Sequence, residues 1–470
     1  MTAGSPASSP RASSQGRRRK MFIKGPVTLL TMTRPDAPLH LSPGEEMKQN
    51  EFFASPRVPR RLERLIEEYI EKKTGKTWND PVVLERIRSA VVAQKWGYWA
   101  RGRRRKISYA KGYDVLAYLA YQFPVYLVQS ELLLHGLVAD GLIPRTMRVL
   151  DAGCGPGVIS LAIADYLGRV KGATARIDAI DISEENIEAY MALVPPAAEK
   201  KGLVTVGRPV AGDLLDPPAG TLQGPYDLIV FSNVLNEIPG RGPEEKAAMV
   251  ARFGERLAPD GTILIVEPAE KDASTALREV QRALVDAGLS VYAPCTHLWG
   301  EPCRPDRCWT FTTGPEVRPP RLMEALVAAG EEGYRYRNTD IKFSHLVLRK
   351  DGFTREGYRI GKNLKAARLG ALADHVEKRI HLCAARMSAD IGEPGRHVVK
   401  ICDGTPKKPV YAVLPEYSRN EGNEPLLSGP YGEILIIRNA TVRYNREADT
   451  YSVIIGRKTT VARAGRECGA

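Results

Sequence analysis

Three of the chain's seven cysteines, Cys295, Cys303 and Cys308, fall within residues 295–308 of a Pro-rich, polar stretch. A cysteine kept only for packing behaves as a small hydrophobe and sits on an apolar face, which this stretch does not offer. Thiolates gathered in this way suit a bound metal, and either zinc or a cubane iron–sulfur cluster needs four ligands. His297 would close a local zinc site. A cluster would recruit a distant thiol, Cys383 or Cys402. Cys383 lies on an apolar stripe, which favours core packing, whereas Cys402 ends a strand pattern before Asp403-Gly404, where a thiolate can turn into a site.

A second constellation lies upstream. Asp151-Ala152-Gly153-Cys154-Gly155-Pro156-Gly157 follows an apolar strand pattern and precedes a helical one. Glycines here let the backbone turn sharply and approach a ligand where a Cβ would clash. The third glycine comes two positions after the second, so the set is not a G-x-G-x-x-G dinucleotide turn. Asp181 and Asp213 each follow a strand pattern. Another strand leads into Ser232-Asn233-Val234-Leu235-Asn236-Glu237, where Asn233, Asn236 and Glu237 are the candidates for catalysis or substrate contact, with helix capping as the competing role. Neither an Asn-Pro-Pro-aromatic run nor a Pro-Cys nucleophile stands there. Farther back, Lys95, Trp96, Tyr98, Trp99, Arg101, Arg103, Arg104, Arg105 and Lys106 interleave aromatic faces that can stack on bases with cations that neutralise phosphate.

The elements that must position these residues follow from periodicity. Strand patterns ending at Asp151, Asp181, Ser232 and Glu267 alternate with helical ones such as 158–167 and 243–257, which implies a doubly wound, mostly parallel α/β sheet. Residues 1–56 lack sustained periodicity and read as a disordered basic arm. Residues 57–125 form a helical N-terminal region carrying the basic aromatic segment. Residues 126–350 hold the α/β domain, with the cysteine stretch as an insertion over 295–342. Residues 351–395 read as a helical linker, with one amphipathic helix over 359–390. Residues 396–470 turn to short strands punctuated by Pro, Gly and Asn, which predicts a small OB-like β-barrel.

The charge balance, 68 Lys plus Arg against 55 Asp plus Glu, leaves +13 and favours a polyanionic partner. No run approaches the roughly 18 apolar residues that span a bilayer, so no membrane segment is expected. Cysteines this few and unevenly spaced do not form a secreted disulfide framework. The reading is a cytoplasmic monomer, with the mitochondrial matrix as the alternative compartment. The first 20 residues, rich in Ser and basic at Arg11, Arg17, Arg18, Arg19 and Lys20, read equally as a presequence, a basic arm or a misassigned start.

The Asp151–Gly157 turn resembles motif I of class I S-adenosylmethionine methyltransferases. That resemblance implies cofactor contacts from Asp151, Gly153, Gly155 and Gly157, ribose contacts from Asp181 and an adenine contact from Asp213. Together with Tyr226-Asp227-Leu228-Ile229, Leu235-Asn236-Glu237, Ala293-Pro294-Cys295-Thr296-His297 through Cys308-Trp309-Thr310-Phe311, and Ser344-His345-Leu346-Val347-Leu348-Arg349, it resembles the methyltransferase-like small-ribosomal-subunit assembly family. The family resemblance implies a four-iron, four-sulfur cluster on Cys295, Cys303, Cys308 and Cys402, S-adenosylmethionine binding, and association with small-subunit ribosomal RNA in the immature subunit. The gap from Cys295 to Cys303 and the position of Trp309 depart from the family pattern. Two functions follow: a ribosomal RNA methyltransferase, or an assembly factor that binds RNA and cofactor without methyl transfer.

Overall fold

The structure, a computed structural model, describes residues 37–99, 112–199, 202–221, 223–295, 298–300, 303, 308–355, 360 and 365–464. Residues from Asp36 onward group as one compact unit.

Five helices come first: α1 (Pro43–Ala54), α2 (Arg60–Thr74), α3 (Pro81–Trp99), α4 (Asp114–Tyr121) and α5 (Phe123–Ala139). The local signals account for their ends. Gly75 closes α2 in the left-handed conformation at φ 68°, and the Asp80 carboxylate accepts the Val82 N–H at 2.8 Å to start α3. Helix α1 falls inside the stretch read from sequence as a disordered arm, and that reading is corrected. The helix is polar and carries no apolar stripe to detect. It docks through charge: the Lys171 N–H reaches Glu45 at 2.6 Å, the Arg169 Nε reaches Gln49 at 3.1 Å, and Arg169 lies over the Phe52 ring.

The sheet strands are β1 (Thr146–Ala152), β2 (Thr174–Asp181), β3 (Val204–Val206), β4 (Val210–Ala211), β5 (Tyr226–Ser232), β6 (Leu257–Pro268), β7 (Ser290–Ala293), β8 (Thr312–Thr313) and β9 (Lys342–Arg349). Their order is β3-β2-β1-β5-β6-β9-β7, with β4 beside β2 and β8 beside β9. The first five strands of that path are parallel, and β9 runs antiparallel to both its neighbours. Helices α6 (Val158–Leu167), α7 (Glu184–Glu199), α8 (Pro243–Gly254) and α9 (Lys271–Asp286) connect the parallel strands and cover both faces, and α10 (Arg321–Ala328) lies in the segment before β9. Strand side chains alternate between two cores, Val149, Ile177 and Leu228 in one, Leu150, Ile229 and Ile263 in the other. This is the class I methyltransferase architecture expected from the sequence. Among the described residues no helix is long and apolar enough to cross a membrane.

Beyond the sheet, Leu369–His375 is a 3-10 helix and Arg379–Arg386 is strand β10, where the sequence reading expected one helix over 359–390. Leu369, Leu372, Val376 and Ile380 do fit a helical spacing. The alternation of exposed Arg379 and His381 with buried Ile380 and Leu382 prevails, because β10 pairs with a partner strand. Strands β11 (Arg396–Cys402), β12 (Val410–Pro415), β13 (Ile434–Asn445), β14 (Thr450–Ile454) and β15 (Thr460–Arg463) follow. Pairing runs β10-β11-β12-β14-β13 and back to β10, a closed five-stranded barrel around Leu382, Val399, Ala412, Leu435 and Val453, with β15 flanking β13. The OB-like barrel expected from the sequence is present.

Candidate functional site

A cavity of about 270 Å³ opens beyond the C-terminal ends of β1, β2 and β5. The strand order reverses here, since the chain runs outward from β1 to β2 and β3 on one side and then crosses back to β5 on the other, and open α/β sheets place ligands at such a switch point. The glycine turn forms one wall. Gly153 and Gly155 line the cavity at φ 77° and 54°. A Cβ on Gly153 would stand 2.6 Å from Val234, whereas one on Gly155 would meet nothing within 4 Å, so Gly155 leaves open a cradle that a side chain would fill. Gly157 is set back from the wall, where a Cβ would meet Val194 at 2.3 Å.

Asp181 and Asp213 also line the cavity. Asp181 accepts the N–H groups of Gly155 and Ser183, both at 2.8 Å, and the amide of Asn186 at 3.2 Å. These donors tie the ends of β1 and β2 together and leave a lone pair for a ligand hydroxyl. Burial nonetheless raises the Asp181 carboxyl. Asp151 does not line the cavity. It sits beneath the turn, accepting the Ser160 hydroxyl at 2.8 Å, and burial pushes it up to about 7.

After β5, Asn233 and Glu237 line the cavity and Asn236 does not. Asn233 adopts φ 56°, a left-handed conformation, and its Oδ1 is buried without a partner among the described residues. The turn is held from below by Glu267, whose carboxyl accepts the N–H groups of Leu235 at 2.9 Å and Asn236 at 3.1 Å. Burial pushes Glu267 up to about 8. Sequence reasoning missed Glu267, and its signal was a lone acid ending the apolar run Thr262–Val266. It also missed Tyr118 and Tyr126, which form part of the wall with ring centroids 6.1 Å apart. Aromatic positions in buried helices carry no distinguishing mark.

Residues 127–299 match the family model of a methyltransferase domain, and residues 370–464 that of a C-terminal domain of unknown function (DUF8157). Trans-aconitate 2-methyltransferase of Streptomyces coelicolor is 29% identical over 140 residues, 30% of this chain and 40% of that protein. Ribosomal RNA small subunit methyltransferase C of Alcanivorax borkumensis is 28% identical over 141 residues, 30% of this chain and 38% of that protein. The chain thus spans about two fifths of these relatives. Among solved structures, magnesium protoporphyrin IX methyltransferase from Synechocystis is 17% identical with a TM-score of 0.29, covering 56% of this chain and 97% of that one.

A second site lies at the seam between the methyltransferase domain and the barrel. Cys295, Cys303, Cys308 and Cys402 line one small cavity together with Arg278, Met387, Lys400 and Gly404. Cys383 instead packs against Leu298, Ile434 and Ile436, and His297 lies outside the described residues. Burial pushes the Cys303 thiol up to about 12 and holds the Cys402 thiol well above the usual thiol range. Among the described residues no three side chains are arranged around a single metal ion.

Of the basic aromatic segment, Lys95 is engaged inside the fold. Its ammonium lies 4.3 Å from the Tyr121 ring centroid and donates to the Arg335 carbonyl, and burial lowers its pKa. Lys95, expected among the RNA contacts, is thus held against the fold by these two partners. Arg101, Arg103, Arg104, Arg105 and Lys106 lie outside the described residues, as do the side chains of Trp96 and Trp99.

Proposed function

We propose that the chain is an S-adenosylmethionine-dependent methyltransferase acting on small-subunit ribosomal RNA, with a four-iron, four-sulfur cluster at the seam to its barrel. The cavity at the switch point carries this reading: Gly153 and Gly155 of the glycine turn, the carboxylates of Asp181, Asp213 and Glu237, and an unpartnered Asn233 amide oxygen converge on it. The cradle at Gly155 suits a cofactor that must approach the backbone. When bound, S-adenosylmethionine would supply a sulfonium methyl group. Asp181 and Asp213 would orient it, and Asn233 and Glu237 would hold the acceptor, since methyl transfer depends chiefly on alignment.

RNA as the acceptor is supported by the +13 charge, by the basic segment 101–106 and by the small-subunit RNA methyltransferase among the relatives. The test is incubation of the anaerobically purified chain with methyl-labelled cofactor and precursor small subunits. Label in the RNA is the expected result, and its absence while the cofactor binds would overturn the enzymatic reading. A non-catalytic assembly factor is the second reading. It is favoured by the stretch after β5, which has neither Asn-Pro-Pro-aromatic nor Pro-Cys.

For the cluster, the donor set is four thiols on one cavity. An orphaned buried atom adds to it: the Nε of Arg278, beside Cys295, has no partner among the described residues. When bound, a cluster would cross-link residues 295–308 to β11. Cys295, Cys303, Cys308 and Cys402 would each give one thiolate. Cys402→Ser is expected to abolish bound iron and the broad thiolate absorbance near about 400 nm. Unchanged iron would overturn Cys402 as a ligand.

A further inference from the structure

The oddest group at the seam is Arg278. It is 1% exposed on α9, and among the described residues no carboxylate pairs with it. One guanidinium nitrogen donates to Gln281 at 2.6 Å and to the Cys295 sulfur at 3.5 Å. The other donates to Ser344 at 3.0 Å and to the His345 carbonyl at 2.5 Å. These partners are neutral, so the cation is desolvated without a counter-charge, a state that proteins avoid. A second cation approaches from the barrel: Lys400 on β11 places its ammonium 3.7 Å from the Cys308 sulfur. The Gly404 N–H points at the Cys402 sulfur from 3.3 Å. Three of the four sulfurs thus each face an N–H donor, and two of those donors are cations from different parts of the molecule.

We propose that Arg278 and Lys400 are the charge partners of the thiolate cage, holding the ligated cluster as an anion and favouring its reduced form. This rests on the cluster reading given above. Four thiolates outweigh the positive charge of a cubane core, and one-electron reduction adds a further negative charge. Cations and N–H donors at the sulfurs stabilise that added charge and raise the potential. Arg278 acts through Cys295 and Lys400 through Cys308, so both are positioning residues. Because one belongs to the methyltransferase domain and the other to the barrel, the anion draws the two together.

The test uses the full chain, purified anaerobically, with iron and acid-labile sulfide assayed and the cluster titrated reductively by electron paramagnetic resonance. Lys400→Gln and Arg278→Gln are expected to retain iron while shifting the reduction equilibrium about tenfold toward the oxidised form, about 59 mV for one electron. Arg278→Lys is expected to restore part of the shift. Lys400 is only half-buried, so its variant does not depend on core packing. A parent chain without iron and sulfide would remove the cluster reading itself. A parent with a cluster, and Lys400→Gln and Arg278→Gln both titrating at the parent's midpoint, would overturn this inference alone. A residue that merely fills the core would lower thermal stability and leave the midpoint in place.

Discussion

Asp181 is a strut of the cavity wall and, in the proposed function, a ligand group. Its three internal donors fix the carboxylate at the cavity wall, so Asp181→Ala would remove the proposed cofactor contact and free the Gly155 N–H at once. Cofactor affinity, read by calorimetry with S-adenosylhomocysteine, is expected to fall at least tenfold, about 1.4 kcal/mol. An unchanged Kd would show that the ribose is held elsewhere. Asp151 and Glu267 lie under the same site, raised by burial to about 7 and about 8. Below the unfolded-state pKa, near 4, both forms of the protein carry the proton. Above it the native carboxyls keep a proton that the unfolded chain has lost, so unfolding releases protons and stability falls as pH rises. The decline runs from about pH 4 to 8, by up to about 1.4 kcal/mol per pH unit for each group. Glu267→Gln is expected to flatten the slope between about pH 5 and 8 in urea unfolding, whatever it does to absolute stability. A slope unchanged from the parent would mean that Glu267 is ionised in the native turn.

At the scale of elements, legibility depended on how each element is held. The strands and helices of the sheet announce themselves because both faces are buried and the apolar runs are bounded by glycines, aspartates and prolines. The wall residues Gly153, Gly155, Asp181 and Asp213 were readable because they sit where those runs stop. Helix α1 was not, because polar bonds to Lys171 and Arg169 dock it. Strand β10 was not, because its apolar residues satisfy both periods and only pairing with β13 decides between them. Asp403 was named only as the neighbour of Cys402, yet it joins three elements. It accepts the Trp299 indole N–H at 2.8 Å from the cysteine insertion and the Leu369 N–H at 2.9 Å. It also accepts the Thr405 N–H at 2.9 Å. Asp403→Ala leaves the buried Leu369 N–H and the half-buried Trp299 and Thr405 N–H groups unpaired. The buried Leu369 N–H costs about 1–3 kcal/mol when unpaired and the half-buried pair adds less, so a loss of about 1–4 kcal/mol is expected in chemical unfolding. Limited proteolysis should cut at the insertion first. A loss below about 1 kcal/mol would mean that water replaces the carboxylate.

For the whole molecule, the question is where a net charge of +13 meets a partner. Many cations are already committed internally. Arg169 pairs with Glu131 and Asp165, Arg321 with Glu67, and Lys95 lies on Tyr121. The run Arg101, Arg103, Arg104, Arg105 and Lys106 contains no acid, which makes it, like Arg17, Arg18, Arg19 and Lys20, a dense source of positive charge for phosphate. Each phosphate neutralised on single-stranded RNA steepens the dependence of log affinity on log salt by about 0.7. Replacing these five residues by Ser is therefore expected to reduce the slope by as much as about 3.5 in a filter-binding titration with small-subunit RNA. Lys95→Gln provides the contrast. Its ammonium is spent on an aromatic ring and a backbone carbonyl, so it should lower thermal stability while leaving the slope where it was. If instead Lys95→Gln flattens the slope and the five-residue variant does not, the RNA interface belongs on the body of the fold and not on the basic run.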